Sequence, residues 1–194
     1  MISDPVKKEG TIFFCDIRNF TYLFDERDAI DAVEFANSVL AVLGEVVEEH
    51  AGVVDRFTGD GFLAHFGFIN DLENHTYQAC KAAIGIRKKL NEINSTRYFK
   101  EESVIAVGMG IHTGVAAYCK IETKYFTQTT IVGDAVNTAS RIEELTKKLM
   151  VDIILSESSY ELVSQDFKFQ EMPSQKLRGK KLIIKPYWLL PLNL

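Results

Sequence analysis

The sequence predicts an α+β fold with one main sheet, and three observations support this prediction. Short β-branched and aromatic runs alternate with longer segments of helical period, and several of the short runs are close enough in sequence to pair as hairpins. The 194 residues are 46% hydrophobic and 25% charged, which is typical of a packed globular domain. We therefore expect a single domain over residues 1–194.

The first two elements are a strand and a long helix. Residues 11–15 read TIFFC, a run typical of a strand buried on both faces, and this strand ends at Asp16. Residues 29–50 place apolar side chains three or four positions apart, with Ile30 and Val33 among them. This spacing predicts an amphipathic helix, and core packing explains the stripe.

A hairpin and a second helix follow. The β-rich runs at residues 53–57 and 62–68 are separated by a short segment that contains Gly-Asp-Gly, which predicts a tight turn. Residues 71–94 then predict a helix with apolar positions such as Tyr77 and Ile84.

The second half repeats this mixture of elements. Residues 103–112 and 115–120 predict two strands, joined as a hairpin by the Thr-Gly between them. A helix of about residues 134–148 follows, with Asp134 placed to cap its first turn. The last predicted elements are a strand at 151–155, a short helix at 156–163 and a strand at 182–189.

Composition and charge exclude several classes of function. The chain has 22 Lys and Arg against 27 Asp and Glu, a net charge of −5, so no positive field would draw it onto nucleic acid or anionic lipid. It has no apolar stretch of bilayer length, and we expect no signal peptide at its start. The three cysteines lack CxxC spacing, and the four histidines lack the spacing of a metal site. We expect a cytoplasmic location without membrane contact by this domain.

Two carboxylates lie where apolar strands stop. Asp16 follows FFC, and Asp60 lies in the turn of VDRFTGDGFLAHFG. Neighbouring buried strands would bring the two together and offer the oxygen ligands that magnesium prefers, with open positions for substrate phosphates. The alternative is that Asp60 only forms the turn and that Asp16 only caps a helix.

Two further groups could contact a phosphorylated ligand. Asn137 and Arg141 are four residues apart in VGDAVNTASRIEEL and so share one helix face, where an amide and a guanidinium could orient a ribose and stabilise phosphoryl charge. The basic segment around Arg178 and Lys180 could hold a terminal phosphate. A solvated helix face and a solvated loop are the alternatives.

Four motifs together resemble a known family. FFCDIRNFT, VDRFTGDGFLAHFG, GMGIHTGVA and TIVGDAVNTASRIEEL, in this order and spacing, closely resemble the catalytic domain of class III nucleotidyl cyclases, the adenylate and guanylate cyclases. The resemblance covers about residues 10–189, nearly the whole chain. It implies a ferredoxin-like βαββαβ core sheet with flanking helices and a C-terminal extension.

The resemblance also implies a two-metal reaction, in which the ribose 3′ hydroxyl attacks the α-phosphate of the same nucleotide and releases pyrophosphate. Asp16 and Asp60 match the metal-binding aspartates, and the carbonyl of Ile17 is expected as a further ligand. Two Mg²⁺ ions per site are expected, with Mn²⁺ as a substitute. The backbone N–H groups of Asn19, Phe20 and Thr21 would contact the triphosphate. Asn19 replaces a frequent glycine, and asparagine tolerates positive φ.

By position, Asn137 and Arg141 match the residues that orient the ribose and stabilise the transition state. Arg178 matches a lysine that contacts the terminal phosphates, and Lys180 is a nearby substitute. The base-contact positions hold Arg56 and Thr130, where adenylate cyclases usually have Lys with Asp or Thr and guanylate cyclases have Glu with Cys. Arg56 only donates, which suits the unprotonated N1 of adenine, and Thr130 can accept from the 6-amino group, so ATP is the expected substrate.

The same resemblance implies an antiparallel homodimer with two composite sites, in which one protomer supplies the metal aspartates and the other the base, Asn and Arg groups. Fusion to a sensor domain is common in the family, and a parent protein could be anchored in a membrane. Two alternatives stay open. Arg also pairs well with guanine, which leaves a guanylate cyclase, and the replacements at Arg56 and Arg178 leave a catalytically weak nucleotide-binding or dimerisation module.

Overall fold

The computed structural model describes residues 5–20, 28–176 and 183–191. Ten strands and four helices lie in these ranges. In chain order they are β1 (Val6–Ile17), α1 (Ala29–Glu49), β2 (Val53–Phe57), β3 (Gly61–Phe66), α2 (His75–Phe99), β4 (Val107–Glu122), β5 (Thr127–Val132), α3 (Asp134–Leu149), β6 (Ile153–Leu155), α4 (Glu157–Val163), β7 (Phe169–Glu171), β8 (Gln175–Lys176), β9 (Ile183–Ile184) and β10 (Tyr187–Leu189).

The main sheet has the strand order β2-β3-β1-β4-β6-β10-β7, and β5 pairs with the second half of β4. β1 is antiparallel to both β3 and β4, whereas β4 and β6 are parallel. The succession β1-α1-β2-β3-α2-β4 with the spatial order β2-β3-β1-β4 is the ferredoxin-like core that the motifs implied, so that prediction is confirmed. After α3, the strands β6, β10 and β7 extend the sheet on one side, and β8 and β9 form a separate two-stranded sheet.

Helices cover both faces of this sheet. On one face α1 and α2 pack on side chains such as Phe13 and Phe62. On the other face α3 packs on Ile12 and Leu63, the alternate positions of the same strands. Each strand of the pair β1 and β3 is therefore buried on both sides, which explains the continuous apolar run of the first motif.

The predicted hairpin at Thr113 and Gly114 is wrong, because β4 runs straight through both residues. Gly114 pairs with Gly10 in the β1–β4 ladder, and the buried Thr113 hydroxyl is hydrogen-bonded to that of Thr11 at 2.9 Å. These contacts with β1 override a local turn signal. The true partner in the hairpin is β5, which the sequence did not predict.

Several predicted boundaries also differ from the structure. β1 extends through Asp16 instead of ending there, and α2 begins four residues later and ends five residues later than predicted. Ile30 and Val33 are exposed, so the buried stripe of α1 begins further along the helix. Gly133 occupies the N-cap of α3, and Asp134 is the first helical residue. The last predicted strand is divided into β9 and β10.

A bidentate ion pair fastens the C-terminal strands to the core. Arg87 on α2 donates from Nε and Nη2 to the two carboxylate oxygens of Asp152, at 2.6 and 2.9 Å, and Trp188 Nε1 donates to the same carboxylate at 2.9 Å. Burial alone would raise the pKa of Asp152, but the bonds from Arg87 and Trp188 outweigh it and hold that pKa below its ordinary value. Asp152 is therefore the anchor of α2, β6 and β10.

We expect Asp152→Asn to lower the free energy of unfolding at pH 7 by about 2 kcal/mol, because it leaves the half-buried Arg87 without its charged partner. A carboxylate with a depressed pKa in the folded state contributes stability above its unfolded pKa, about 3.9, and loses it as the pH falls through the folded pKa. The variant should thus show a shallower loss of stability below about pH 4. Urea unfolding at several pH values measures both effects, and Glu92→Gln, which removes an exposed pair with Lys89, is the control.

Candidate active site

Asp16 and Asp60 are adjacent because β1 and β3 are paired. Asp16 lies opposite Gly61 in that ladder, and the N–H of Ile17 donates to the carbonyl of Asp60 at 2.8 Å. A Cβ at position 61 would lie 2.3 Å from the carbonyl oxygen of Cys15, so only glycine permits this approach. The turn thus brings the two carboxylates to one edge of the sheet, as the positions at strand ends predicted.

The two carboxylates interact strongly. Burial, the charge of Asp60 and then the charge of Glu143 raise the pKa of Asp16 to about 7, and a hydrogen bond to the Asp60 carboxyl acts in the same direction. Two half-buried carboxylates that are close enough to share a hydrogen bond repel each other when both are ionised. A divalent cation would remove that repulsion, so the donor set fits a hard metal ion.

The remaining ligands of such an ion would not be side chains of this region. In the described ranges no three His, Cys, Asp or Glu side chains are grouped so that they could hold a metal ion. The Ile17 carbonyl, water and substrate oxygens are the donors left, which is the open arrangement typical of magnesium sites.

Arg18 and Glu143 interact electrostatically with Asp16, and neither residue was predicted from the sequence. Arg18 donates to the Thr146 hydroxyl and, at 3.2 Å, to the Val151 carbonyl. Burial raises the pKa of Glu143, and Arg18 counteracts it. Both residues lie inside the recognised motifs, but only the packing of α3 on β4 brings them together.

Helix α3 can pack close to the sheet because β4 has glycines beneath the helix. A Cβ at Gly108 would lie 2.3 Å from Glu143 Oε1, and one at Gly110 would lie 2.3 Å from the Glu143 nitrogen. Larger residues at either position would push the helix away from the sheet. These glycines therefore set the distance between the sheet and α3, the helix that carries Asn137 and Arg141.

The segment after β1 begins as expected. Asn19 has φ 54°, a left-handed conformation that asparagine tolerates better than most residues. Asn19 is exposed and Phe20 is half-buried. Thr21 lies outside the described residues, as do Arg178 and Lys180.

A second group of predicted residues lines a cleft of about 450 Å³. Arg56, Thr130 and Asn137 all contribute to its wall, together with Gly133 at the start of α3. Arg56 Nη1 donates to the Thr130 hydroxyl oxygen at 2.8 Å, so the two predicted base contacts touch each other. Arg141 is half-buried one turn further along α3.

The candidate residues therefore form two groups within one chain. The first is Asp16 with Asp60, and the second is the cleft of Arg56, Thr130 and Asn137, whose lining includes neither aspartate. Asp55, which contacts both Arg56 and Thr130, was not anticipated from the sequence. A separate finding is that no helix within the described part of the chain combines the length and apolar character needed to cross a bilayer.

Known proteins share this architecture. The chain aligns with the solved structures of the adenylyl cyclase CyaB from P. aeruginosa, with a TM-score of 0.89 and 23% identity over 97% of each chain, and of the guanylyl cyclase Cya2, with a TM-score of 0.87 and 23% identity over 98% of each chain. These two likenesses establish the fold.

Sequence comparison goes further. An adenylate cyclase of Anabaena cylindrica is 33% identical over 184 residues, which cover 91% of this chain and 36% of the relative, so the chain spans about a third of that protein's length. The model of the adenylate and guanylate cyclase catalytic domain matches residues 3–191. The chain belongs to the adenylate and guanylate cyclase catalytic domain family.

Proposed function

We propose that this chain is an adenylate cyclase domain that converts ATP to 3′,5′-cyclic AMP and pyrophosphate. The observation that carries the proposal is the adjacency of Asp16 and Asp60 at one edge of the sheet, in surroundings that favour a divalent cation between them. We take residues 1–194 as one catalytic domain of the class III type.

Asp16, Asp60 and the Ile17 carbonyl would hold two Mg²⁺ ions, and Mn²⁺ would serve as a substitute. When bound, the metal makes the ribose 3′ hydroxyl more acidic and neutralises charge on the triphosphate. The repulsion between the two carboxylates in the metal-free protein supports this assignment, since a cation relieves it.

The other predicted residues position the nucleotide. The backbone N–H groups of Asn19, Phe20 and Thr21 contact the triphosphate. Asn137 orients the ribose, and Arg141 stabilises the charge that grows on the α-phosphate as the ring closes. Arg178, with Lys180 nearby, contacts the terminal phosphates.

Adenine is the base that the second group suits. Arg56 donates to N1 of adenine, and Thr130 accepts from the 6-amino group. Support comes from their shared cleft and from their contact at 2.8 Å, which places a donor beside an acceptor.

A complete site requires a second copy of the chain. We propose an antiparallel homodimer in which the aspartates of one protomer face the base cleft of the other, giving two equivalent sites. Support comes from the division of the candidate residues into two groups within one chain. We further propose that the domain acts in the cytoplasm in intracellular signalling, within a longer protein that can carry a sensor domain.

The test is an assay of the purified protein with ATP and with GTP, each with Mg²⁺ and with Mn²⁺. We expect cyclic AMP as the main product and no turnover after chelation of the metal. Cyclic GMP as the main product would replace the adenylate assignment by a guanylate one. Binding of nucleotide without either product would identify a catalytically weak binding module.

We expect Arg56→Lys to keep ATP turnover within about threefold of wild type or to raise it, because lysine keeps a donor for N1 with a more compact head. The ratio of kcat/KM values for ATP and GTP is the measurement. Loss of ATP turnover with retained GTP turnover would show that Arg56 contacts guanine instead.

A further inference from the structure

A buried carboxylate lies behind the two residues that contact the base. The Asp55 side chain is 0% exposed, whereas Arg56 beside it is 40% exposed. Asp55 Oδ2 accepts hydrogen bonds from Arg56 Nη1 at 2.9 Å and from the Thr130 hydroxyl at 2.7 Å, and Oδ1 accepts from the backbone N–H of Ile131 at 3.2 Å. A buried charge with this many donors is held in one orientation.

A β-bulge in β2 makes the arrangement possible. The pairing of β2 with β3 shifts between Val54, opposite Ala64, and Arg56, opposite Leu63, so Asp55 is the extra residue. In a regular strand neighbouring side chains point to opposite faces. Here Asp55 and Arg56 both reach Thr130, because the bulge re-aims a side chain.

The hydrogen bonds determine which groups remain for a base. The Thr130 hydroxyl has one proton, which it donates to Asp55, and one of its two lone pairs accepts from Arg56. One lone pair remains, so Thr130 can only accept. The Nη1 hydrogens of Arg56 are used by Asp55 and Thr130, and the N–H groups on Nε and Nη2 remain as donors.

We propose that Asp55 is a specificity-determining residue that acts through Thr130 and Arg56: it holds the Thr130 hydroxyl as an acceptor and holds the Arg56 guanidinium, which only donates, in place beside it, and adenine matches this pair of one acceptor and one donor. Thr130 would face the 6-position of the base. There adenine offers an N–H donor, which the Thr130 hydroxyl can accept. Guanine offers the acceptor O6 at this position, and two acceptors form no hydrogen bond. A freely rotating hydroxyl would serve either base, since it can donate as well as accept. The inference rests on the proposed function, because it concerns the base subsite of that reaction.

Asp55→Asn tests this inference with a side chain of the same shape. The amide no longer presents a carboxylate to the hydroxyl, so we expect the ratio of kcat/KM for ATP to kcat/KM for GTP to fall about tenfold, the effect of about one hydrogen bond. Inhibition by pyrophosphate, which lacks a base, should stay unchanged. Asp71→Asn, at an exposed carboxylate paired with Lys8, is the matched control.

The same substitution in a Thr130→Val background separates orientation of the hydroxyl from general damage. Valine has no hydroxyl to orient, so Asp55→Asn should then change the nucleotide ratio by less than about twofold. An equal loss of ATP and GTP turnover, or the same tenfold fall in both backgrounds, would overturn the inference.

A measurement on the unmodified protein covers the case in which Asp55→Asn does not fold. In the nucleotide-free wild type the Thr130 hydroxyl proton should be visible by NMR and slow to exchange with water, with its signal assigned through Thr130→Val. A proton that exchanges too fast to be observed would refute the role of Asp55. A wild type that makes no cyclic AMP would instead refute the proposed function, even if this proton were protected.

Discussion

Asp60→Asn is expected to lower cyclic AMP production at least about 1,000-fold without destabilising the metal-free protein. Its carboxylate is one of two that would hold the metal, and an amide is a much weaker ligand for a hard cation. The amide also removes the negative charge that faces Asp16 and can donate a hydrogen bond to it. The free energy of unfolding without metal should therefore stay the same or rise by up to about 1 kcal/mol.

Two measurements separate these effects. Turnover is followed with Mg²⁺ and ATP, and thermal unfolding is followed with and without Mg²⁺. Wild type should gain thermal stability from the metal, as any ligand of the folded state provides, whereas Asp60→Asn should gain little. Asp71→Asn should match wild type in both measurements. Turnover near the wild-type rate in Asp60→Asn would refute the metal assignment, and unfolding of the metal-free variant would show that Asp60 has a structural role instead.

The core of the fold was predictable because its signals are periodic. The apolar spacing of α1, the turn between β2 and β3 and the aromatic run of β1 each indicate one local structure, and together they give the order β1-α1-β2-β3. The continuous strand β4 was not predictable from its own residues. Its Thr113 and Gly114 form a local turn signal, and only the β1 partners Thr11 and Gly10 make that segment extended.

The candidate site likewise contains some residues that could be predicted from the sequence and others that could not. Asp16, Asp60, Asn137 and Arg141 lie in motifs with fixed spacing, so a resemblance could identify them. Asp55 could not be found in this way, because its role depends on a β-bulge and on a hydrogen bond to a residue 75 positions away. Single-sequence patterns do not show where a strand gains an extra residue, since the bulged side chain is identified only by its partners.

Mixing two inactive variants is expected to restore about a quarter of wild-type activity. In the proposed dimer, Asp60→Asn would damage the metal half of each site, and Asn137→Ala would damage the half that orients the ribose. After random exchange of protomers half of the dimers are mixed, and each mixed dimer has one site with both halves intact. In the proposed dimer, the recovered activity would come from Asp16 and Asp60 of one protomer facing the Asn137 cleft of the other.

The matched control mixes Asp60→Asn with Asp16→Asn. Both lesions then lie in the same half, so every composite site contains one of them and no activity should return. Native mass spectrometry of isotope-labelled protomers shows that mixed dimers have formed in both experiments. Recovery in the control would mean that the two aspartates act in different sites, and failure of recovery in the first mixture would mean that each protomer completes its own site. The two groups of residues within one chain favour the shared arrangement, because the cleft that Asn137 lines contains neither aspartate.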